Sequence, residues 1–391
     1  MKNPSAWIAR NVSRLRSAAK DQGAAAPAPP PRSTHERLAA TLRRADEALP
    51  PRQLRRLLTD LQAVAAPQVS ELEGGRSAQT LIDWYAQATP AQRHDLWLLM
   101  CEQFAPDVER VKHARQHYEA AAGTADEGQA EIGLRRALVS PRTRLLQRFA
   151  VPAGGMRFLV DLRAELLPLL RSDKRLLALD AELEQLFSTW FDVAFLELRR
   201  LSWDSPASLL EKLIKYEAVH DIRSWADLKN RLDSDRRCYG FFHPRLPDEP
   251  LIFVEVALTD HLADNVQALL DEHAPVFDNR KADTAIFYSI SNTQVGLRGV
   301  SFGNFLLKRV IDDLQRDFPK LAHFATLSPM PGLAAWVRKN PAVLGEAGIE
   351  LSLEELSTGA WAADKKQARA LRDAVDAAIQ ANGDVSTVTH E

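Results

Sequence analysis

The segment Thr284–Leu333 reads TAIFYSISNTQVGLRGVSFGNFLLKRVIDDLQRDFPKLAHFATLSPMPGL, and it is the most informative stretch of the chain. Ile286–Ile290 is apolar and aromatic and lies between polar residues, as is typical of a buried strand. A glycine-bearing loop follows, then a stretch with helical spacing, then a second apolar strand at His323–Leu327. The segment therefore predicts a strand, a loop, a helix and a strand.

Three glycines, Gly296, Gly299 and Gly303, interrupt the loop, and Asn304 is placed to cap the helix. The helix has apolar residues three and four positions apart: Leu307, Val310, Ile311, Leu314 and Phe318. Because the first N–H groups of a helix lack partners and carry partial positive charge, such a loop can hold a phosphate. An ordinary connection, in which the glycines only turn the chain, fits the spacing equally well.

Outward from this segment, the chain divides into two kinds of pattern. Residues 34–204 have mainly helical periodicity, as in HERLAATLRRADEAL at His35–Leu49. From residue 205 onward, strands predicted at Cys238–Phe242 and Leu251–Leu258 alternate with helices, one of them predicted at His261–Asp271. PRLPDEP between the two strands has turn chemistry. The predicted fold class is α+β, an all-helical bundle followed by a mixed α/β domain. Residues 1–33, rich in alanine and proline near their end, are predicted to form a flexible segment.

Composition excludes several functional classes. The 391 residues carry a net charge of −2, which gives no overall positive field for nucleic acid. Cys101 and Cys238 form neither a disulfide framework nor a CxxC motif, and no cluster has metal-ligand spacing, so no metal site is predicted. Free cysteines of this kind suit a reducing compartment.

The localisation signals are weak. No apolar run approaches the roughly 18 residues that a membrane span requires, and no secretory signal is present at the start. We expect a bacterial cytoplasmic protein without membrane association. Mitochondrial targeting is the lesser alternative, because the first twenty residues carry only basic charges: Lys2, Arg10, Arg14, Arg16 and Lys20.

The stretches IFYSIS, TQVGLRGVSFGNFLLKRVIDDLQRDFPKL and FATLSPMPG resemble the core of the malonyl-CoA decarboxylase family. EKLIKYEAVHDIRSWADLKNRL and RRCYGFFHPRLPDEPLIFVEVALT extend the likeness upstream, so that it spans Glu211–Leu333. The resemblance implies conversion of malonyl-CoA to acetyl-CoA and carbon dioxide without metal or biotin. It also implies that 205–391 has the fold of the GCN5-related acetyltransferases, and that the helical domain at 34–204 assembles the protein into dimers or tetramers.

Ser328 is the candidate catalytic residue, because it follows an apolar strand and is held between that strand and Pro329. From the residues alone, it could equally cap the helix expected after Gly332 or end the strand. The resemblance implies that its hydroxyl binds the malonyl group without acting as a nucleophile, and no GxSxG elbow surrounds it. Ser289, Ser291 and Pro329 are the predicted substrate-pocket residues.

The loop is the candidate site for the coenzyme A phosphates, with Arg298 as the cationic partner and Lys308 as a weaker candidate. Arg298 could also be a solvated loop residue. The predicted coenzyme A ligands are Asn292, Thr293, Gln294, Val295, Gly296, Leu297, Arg298, Gly299, Ser301, Gly303 and Asn304.

Decarboxylation, which the resemblance implies, requires specific groups at the active site. Loss of carbon dioxide leaves a thioester enolate, which needs hydrogen-bond donors at its oxygen and a proton for its carbon. The family's proton donor is a histidine in a segment resembling PVAxFHxxNGA, which this sequence lacks; His390, the one histidine after Ser328, lies outside such a motif. We therefore expect either a truncated or divergent member of reduced competence, or a sequence that omits the C-terminal part of the protein.

Two other functions compete with decarboxylation. An acyl-CoA acyltransferase could share the fold, although TQVGLRG departs from the Q/R-x-x-G-x-G/A signature of ordinary acetyltransferases. A fragment that only binds coenzyme A or forms oligomers is the other alternative. Ser301 also stands where some family members have an acid.

Overall fold

The computed structural model describes residues 32–300, 305–329 and 332–339, together with the single positions 366, 368, 369 and 373. The described chain forms two compact units. The first contains residues up to Asp192 and the segment 294–300, and the second begins at Val193 and contains the described remainder. Along the chain, the units divide before the boundary that the sequence predicts after residue 204.

The first unit is helical. Its α-helices are α1 (Thr34–Ala39), α2 (Pro51–Ala65), α3 (Glu71–Gln87), α4 (Pro90–Gln103), α5 (Val108–Ala121), α6 (Glu127–Leu138), α7 (Pro141–Phe149), α8 (Gly155–Leu166) and α9 (Leu177–Trp190). Helix starts follow the sequence closely: Thr89 caps α4 in a capping box with Gln92, and proline occupies the first position of α2, α4 and α7.

The first helix is shorter than the sequence predicts. Helical spacing continues to Leu49, but α1 ends at Ala39 and the chain turns. A buried ion pair accounts for the turn, because Arg37 contacts Asp95 at 2.5 Å and the same carboxylate accepts the Leu49 N–H at 3.0 Å. Tertiary bonding therefore overrides the local propensity for helix.

The second unit is built on a five-stranded sheet in the order β1 (Glu197–Leu201), β2 (Arg236–His243), β3 (Leu246–Thr259), β4 (Thr284–Asn292) and β5 (His323–Thr326). The first four strands are antiparallel, and β5 runs parallel to β4. Its α-helices are α10 (Ala207–Tyr216), α11 (Trp225–Arg231), α12 (Val266–Leu270), α13 (Phe305–Asp317) and α14 (Leu333–Lys339). The predicted α+β class is confirmed.

The parallel pair of strands requires a crossover, which α13 supplies between β4 and β5. Helices α10 and α11 cover apolar side chains of the sheet, including Cys238, Phe242 and Phe253. Two local expectations are wrong: β3 begins at Leu246, inside the segment predicted as a turn, and the helix expected over His261–Asp271 is reduced to α12.

Candidate functional site

The central strand β4 is longer than its parallel neighbour β5. The last paired residues are Phe287 and Thr326, and the Leu327 N–H donates to the Phe287 carbonyl at 2.9 Å. Beyond that point β4 continues to Asn292, which pairs with Ile252 of β3. Within the described residues, no strand pairs with the other edge of β4 from Tyr288 to Asn292. The two strands therefore part after Leu327.

Ser328 lies where the strands part. If the β4–β5 register continued, it would stand opposite Ser289. Ser328 and Pro329 are both exposed, and among the described residues the Ser328 hydroxyl has no hydrogen-bond partner. Because Pro329 has no N–H and a fixed φ, the backbone here cannot extend the ladder as a donor. A solvent-exposed hydroxyl at a strand end can donate to a ligand or accept from it.

Ser289 and Ser291 are predicted to belong to the substrate pocket. Both residues are buried, and both hydroxyls bond Glu217. Ser289 Oγ donates to Glu217 Oε1 at 2.6 Å, and Ser291 Oγ donates to Oε2 at 3.0 Å. Glu217 also accepts the N–H groups of Val219 and His220 at 2.9 and 3.0 Å. The two hydroxyls therefore fasten β4 to the residues that follow α10.

Glu255 is a buried acid that sequence reasoning missed. It pairs with Ser289 across β3 and β4, its side chain is inaccessible to solvent, and Arg231 Nη1 lies 3.2 Å from its Oε2. Burial first, and then the charge of Glu217, raise the pKa of Glu255 to about 8, against the opposing effect of Arg231. The available signal was an acid inside the apolar run LIFVEVAL. Below about pH 8, the Glu255 carboxyl therefore keeps its proton in the interior of this unit.

The predicted coenzyme A loop begins in the second unit. Asn292 is exposed at the end of β4, whereas Thr293 is buried, with its N–H bonded to the Leu251 carbonyl at 3.0 Å and its hydroxyl to Pro250. Ser301, Gly303 and Asn304 lie outside the described residues. The cap predicted at Asn304 is thus not described, although α13 begins at Phe305.

The middle of the loop folds as part of the first unit. Arg157 donates to the Gln294 side chain at 2.6 Å, and Val295–Leu297 forms a 3₁₀ turn. Gly296 and Leu297 are buried, whereas Val295, Arg298 and Gly299 are exposed. Gly299 has a φ of +84°, in the left-handed region that favours glycine. The exposed surface of this turn is therefore small, and it carries one cation, Arg298.

The described residues contain no group of three or more His, Cys, Asp or Glu side chains that could hold a metal ion. Both cysteines, Cys101 and Cys238, are buried and free. Among the described helices, none combines the length and apolar character needed to cross a membrane.

Comparison with known proteins gives one consistent result. The profile described as the malonyl-CoA decarboxylase C-terminal domain matches residues 194–383, and the corresponding N-terminal profile matches residues 104–191. The mitochondrial malonyl-CoA decarboxylase of Mus musculus is 37% identical over 294 residues, or 73% of this chain and 59% of the mouse protein. That of Rattus norvegicus is 34% identical over 333 residues, covering 76% of this chain and 67% of the rat protein.

Solved structures agree. The malonyl-CoA decarboxylase of Rhodopseudomonas palustris is 36% identical with a TM-score of 0.68, covering 82% of this chain and 78% of that one. The enzyme of Cupriavidus metallidurans is 46% identical with a TM-score of 0.58, covering 76% and 69%. The present chain spans about three fifths of the mouse relative's length.

Proposed function

Because the chain belongs to the malonyl-CoA decarboxylase family, we propose that it converts malonyl-CoA to acetyl-CoA and carbon dioxide. The observation that carries the proposal is the parting of β4 and β5 at Ser328. An extended thioester arm has amide groups that can pair with a strand edge, and β4 offers an edge from Tyr288 to Asn292 that no other described strand pairs with. The acyl end would then lie at the strand ends.

Ser328 takes the orienting role in this proposal. Its exposed hydroxyl donates to an oxygen of the malonyl group and holds the breaking C–C bond in line with the thioester π system. The electrons of that bond move into the thioester as carbon dioxide leaves, and the resulting enolate carbon takes up a proton from the solvent. No covalent bond to the serine is required.

Pro329, exposed beside Ser328, forms part of the proposed pocket wall. Ser289 and Ser291 do not bind substrate directly in this proposal. Their hydrogen bonds to Glu217 fix the position of the β4 edge. Separately, we assign the coenzyme A phosphates to the loop from Asn292 onward, where Arg298 supplies exposed positive charge.

We further propose that the reaction needs no metal or biotin and that the protein acts in the bacterial cytoplasm as a dimer or tetramer. Exposed apolar side chains on the helical unit support self-association: Val108, Ile132, Leu138 and Val139. Two free buried cysteines suit a reducing compartment.

The test is release of carbon dioxide and formation of acetyl-CoA from malonyl-CoA by the 391-residue chain. The Ser328→Ala variant is compared with Ser234→Ala, which removes another exposed hydroxyl of the same unit. We expect turnover that falls by roughly a hundredfold or more in Ser328→Ala, the scale for loss of one oriented donor, and stays unchanged in Ser234→Ala. Binding of malonyl-CoA without release of carbon dioxide would contradict the proposal and identify a binding fragment.

A further inference from the structure

One face of helix α8 holds the 294–300 loop. Arg157, Val160 and Arg163 recur every three residues on this helix, and each contacts the loop. Arg157 bonds the Gln294 side chain, and the Val160 carbonyl lies only 1.9 Å from where a Cβ at residue 296 would be. Only glycine permits this approach of the loop to the helix.

Arg163 makes the most extensive contact. Its Nη1 donates to the carbonyls of Gly296 and Arg298, at 3.0 and 2.8 Å. These two carbonyls flank Leu297, so one nitrogen holds both sides of the turn. A lysine ammonium could donate to both carbonyls, but it has no further nitrogens with which to bond other groups in a fixed fork.

The remaining donors of Arg163 are used by acids of α9. Its Nε donates to Asp180 at 2.8 Å and its Nη2 to Glu184 at 3.3 Å. The Arg163 side chain is 2% exposed. Because its charge is balanced and its donors are buried, Arg163 cannot itself bind an anion in solvent.

These bonds fix the backbone of Arg298. Its carbonyl is held by Arg163 and its N–H by the Val295 carbonyl at 3.1 Å, while its side chain is exposed. The backbone at this position is therefore fixed on both sides. A fixed backbone confines the directions in which the guanidinium can point.

We propose that Arg163 is a positioning residue for coenzyme A binding, acting through the loop carbonyls to present Arg298 to the phosphates. This inference rests on the proposed function of the loop. It also gives the helical unit a part in substrate binding in addition to self-association.

The experiment measures binding of coenzyme A by calorimetry, and kcat and KM for malonyl-CoA, in the full chain. Arg163→Met is compared with Arg142→Met, a matched control in the same unit. Arg142 is equally buried and donates to the carbonyls of Met100 and Cys101 at 2.9 and 3.2 Å, and none of its hydrogen bonds reaches the loop. Arg163→Lys and Asp180→Asn provide milder variants should Arg163→Met fail to fold.

We expect Arg163→Met to weaken coenzyme A binding on the order of tenfold and to raise KM with little change in kcat, as loss of uniform binding does. Arg163→Lys should give a smaller loss. Arg298→Ala should cost less in the Arg163→Met background than in the parent chain, because both changes remove the same contact.

Parent-like binding in the Arg163 variants, an equal loss in Arg142→Met, or fully additive effects with Arg298→Ala would each overturn the assignment. A parent chain that binds no coenzyme A would remove the proposed function of the loop and this inference together. A parent that binds coenzyme A, with Arg163→Met unchanged, would remove only the role of Arg163.

Discussion

The carboxylate of Glu217 accepts a 2.6 Å hydrogen bond from the hydroxyl of Ser289, and so joins the end of α10 to the middle of β4. Glu217 also accepts hydrogen bonds from the Ser291 hydroxyl and from two backbone N–H groups. All of these groups are partly or fully buried. The two hydroxyls also lie 3.3 Å from each other, and Ser291 Oγ accepts the Ala218 N–H at 3.1 Å. Glu217 therefore bonds both serine hydroxyls beside the proposed substrate edge of β4.

Replacing Glu217 with alanine should destabilise the second unit by about 3 kcal/mol, because buried donors would lose their acceptor. Urea unfolding followed by circular dichroism measures the change. Glu211→Ala, at an exposed position of the same helix, should change the unfolding free energy very little. Equal effects of the two substitutions would contradict the role given to Glu217.

Glu255 should make the protein less stable as the pH rises. Its pKa is raised to about 8 in the folded state from a usual value of 4.5, so the folded state retains a proton that the unfolded state has lost. Below about pH 4.5 both states hold the proton, and Glu255 does not lower the free energy of unfolding. Between about pH 4.5 and 8 that free energy falls by at most about 1.4 kcal/mol per pH unit.

Glu255→Gln tests this dependence, since it keeps the shape and removes the titration. The neighbouring groups are Glu217, Asp227, Arg231, Tyr288 and Cys238, and all are retained in the variant. The difference in unfolding free energy between variant and parent should grow in favour of the variant from pH 5 to pH 8. A difference independent of pH would show that Glu255 does not hold the proton.

Gly296→Ala should destabilise the first unit by about 1–3 kcal/mol, because the new methyl group would overlap the Val160 carbonyl. Gly133→Ala is the matched control with the opposite expected effect. No atom lies within 4 Å of the added carbon, and the site is inside helix α6. That variant should be stabilised by about 0.5–1 kcal/mol. Thermal unfolding of both variants checks the pair, and a destabilised Gly133→Ala or a neutral Gly296→Ala would contradict the packing described.

The sequence predicted elements with strong local patterns and missed those determined by distant contacts. The strand expected at Ile286–Ile290 is β4, and the strand expected at His323–Leu327 is β5, because both are short apolar runs. Strand β1, Glu197–Leu201, lies inside the 34–204 stretch that the sequence predicts to be helical, because its polar ELRRL sequence has mostly exposed residues and no apolar alternation.

The same limit applies to the site. The exposed position of Ser328 follows from the strand end and Pro329, both of which are local features. The burial of Ser289 and Ser291 against Glu217 depends on residues more than seventy positions away. The attachment of the loop to Arg163 spans still more of the chain, and neither arginine nor glycine signals its partner in a single sequence.

Arg298→Ala should weaken binding of coenzyme A by roughly tenfold at low salt, because an exposed guanidinium contributes a charge-assisted bond to phosphate. The loss should shrink as the ionic strength rises. Pantetheine, which lacks the nucleotide phosphates, should bind both proteins equally. Arg136→Ala removes another exposed arginine of the first unit and should leave both ligands unaffected. Equal losses for coenzyme A and pantetheine would show that Arg298 acts on the arm of the ligand and would overturn its assignment to the phosphates.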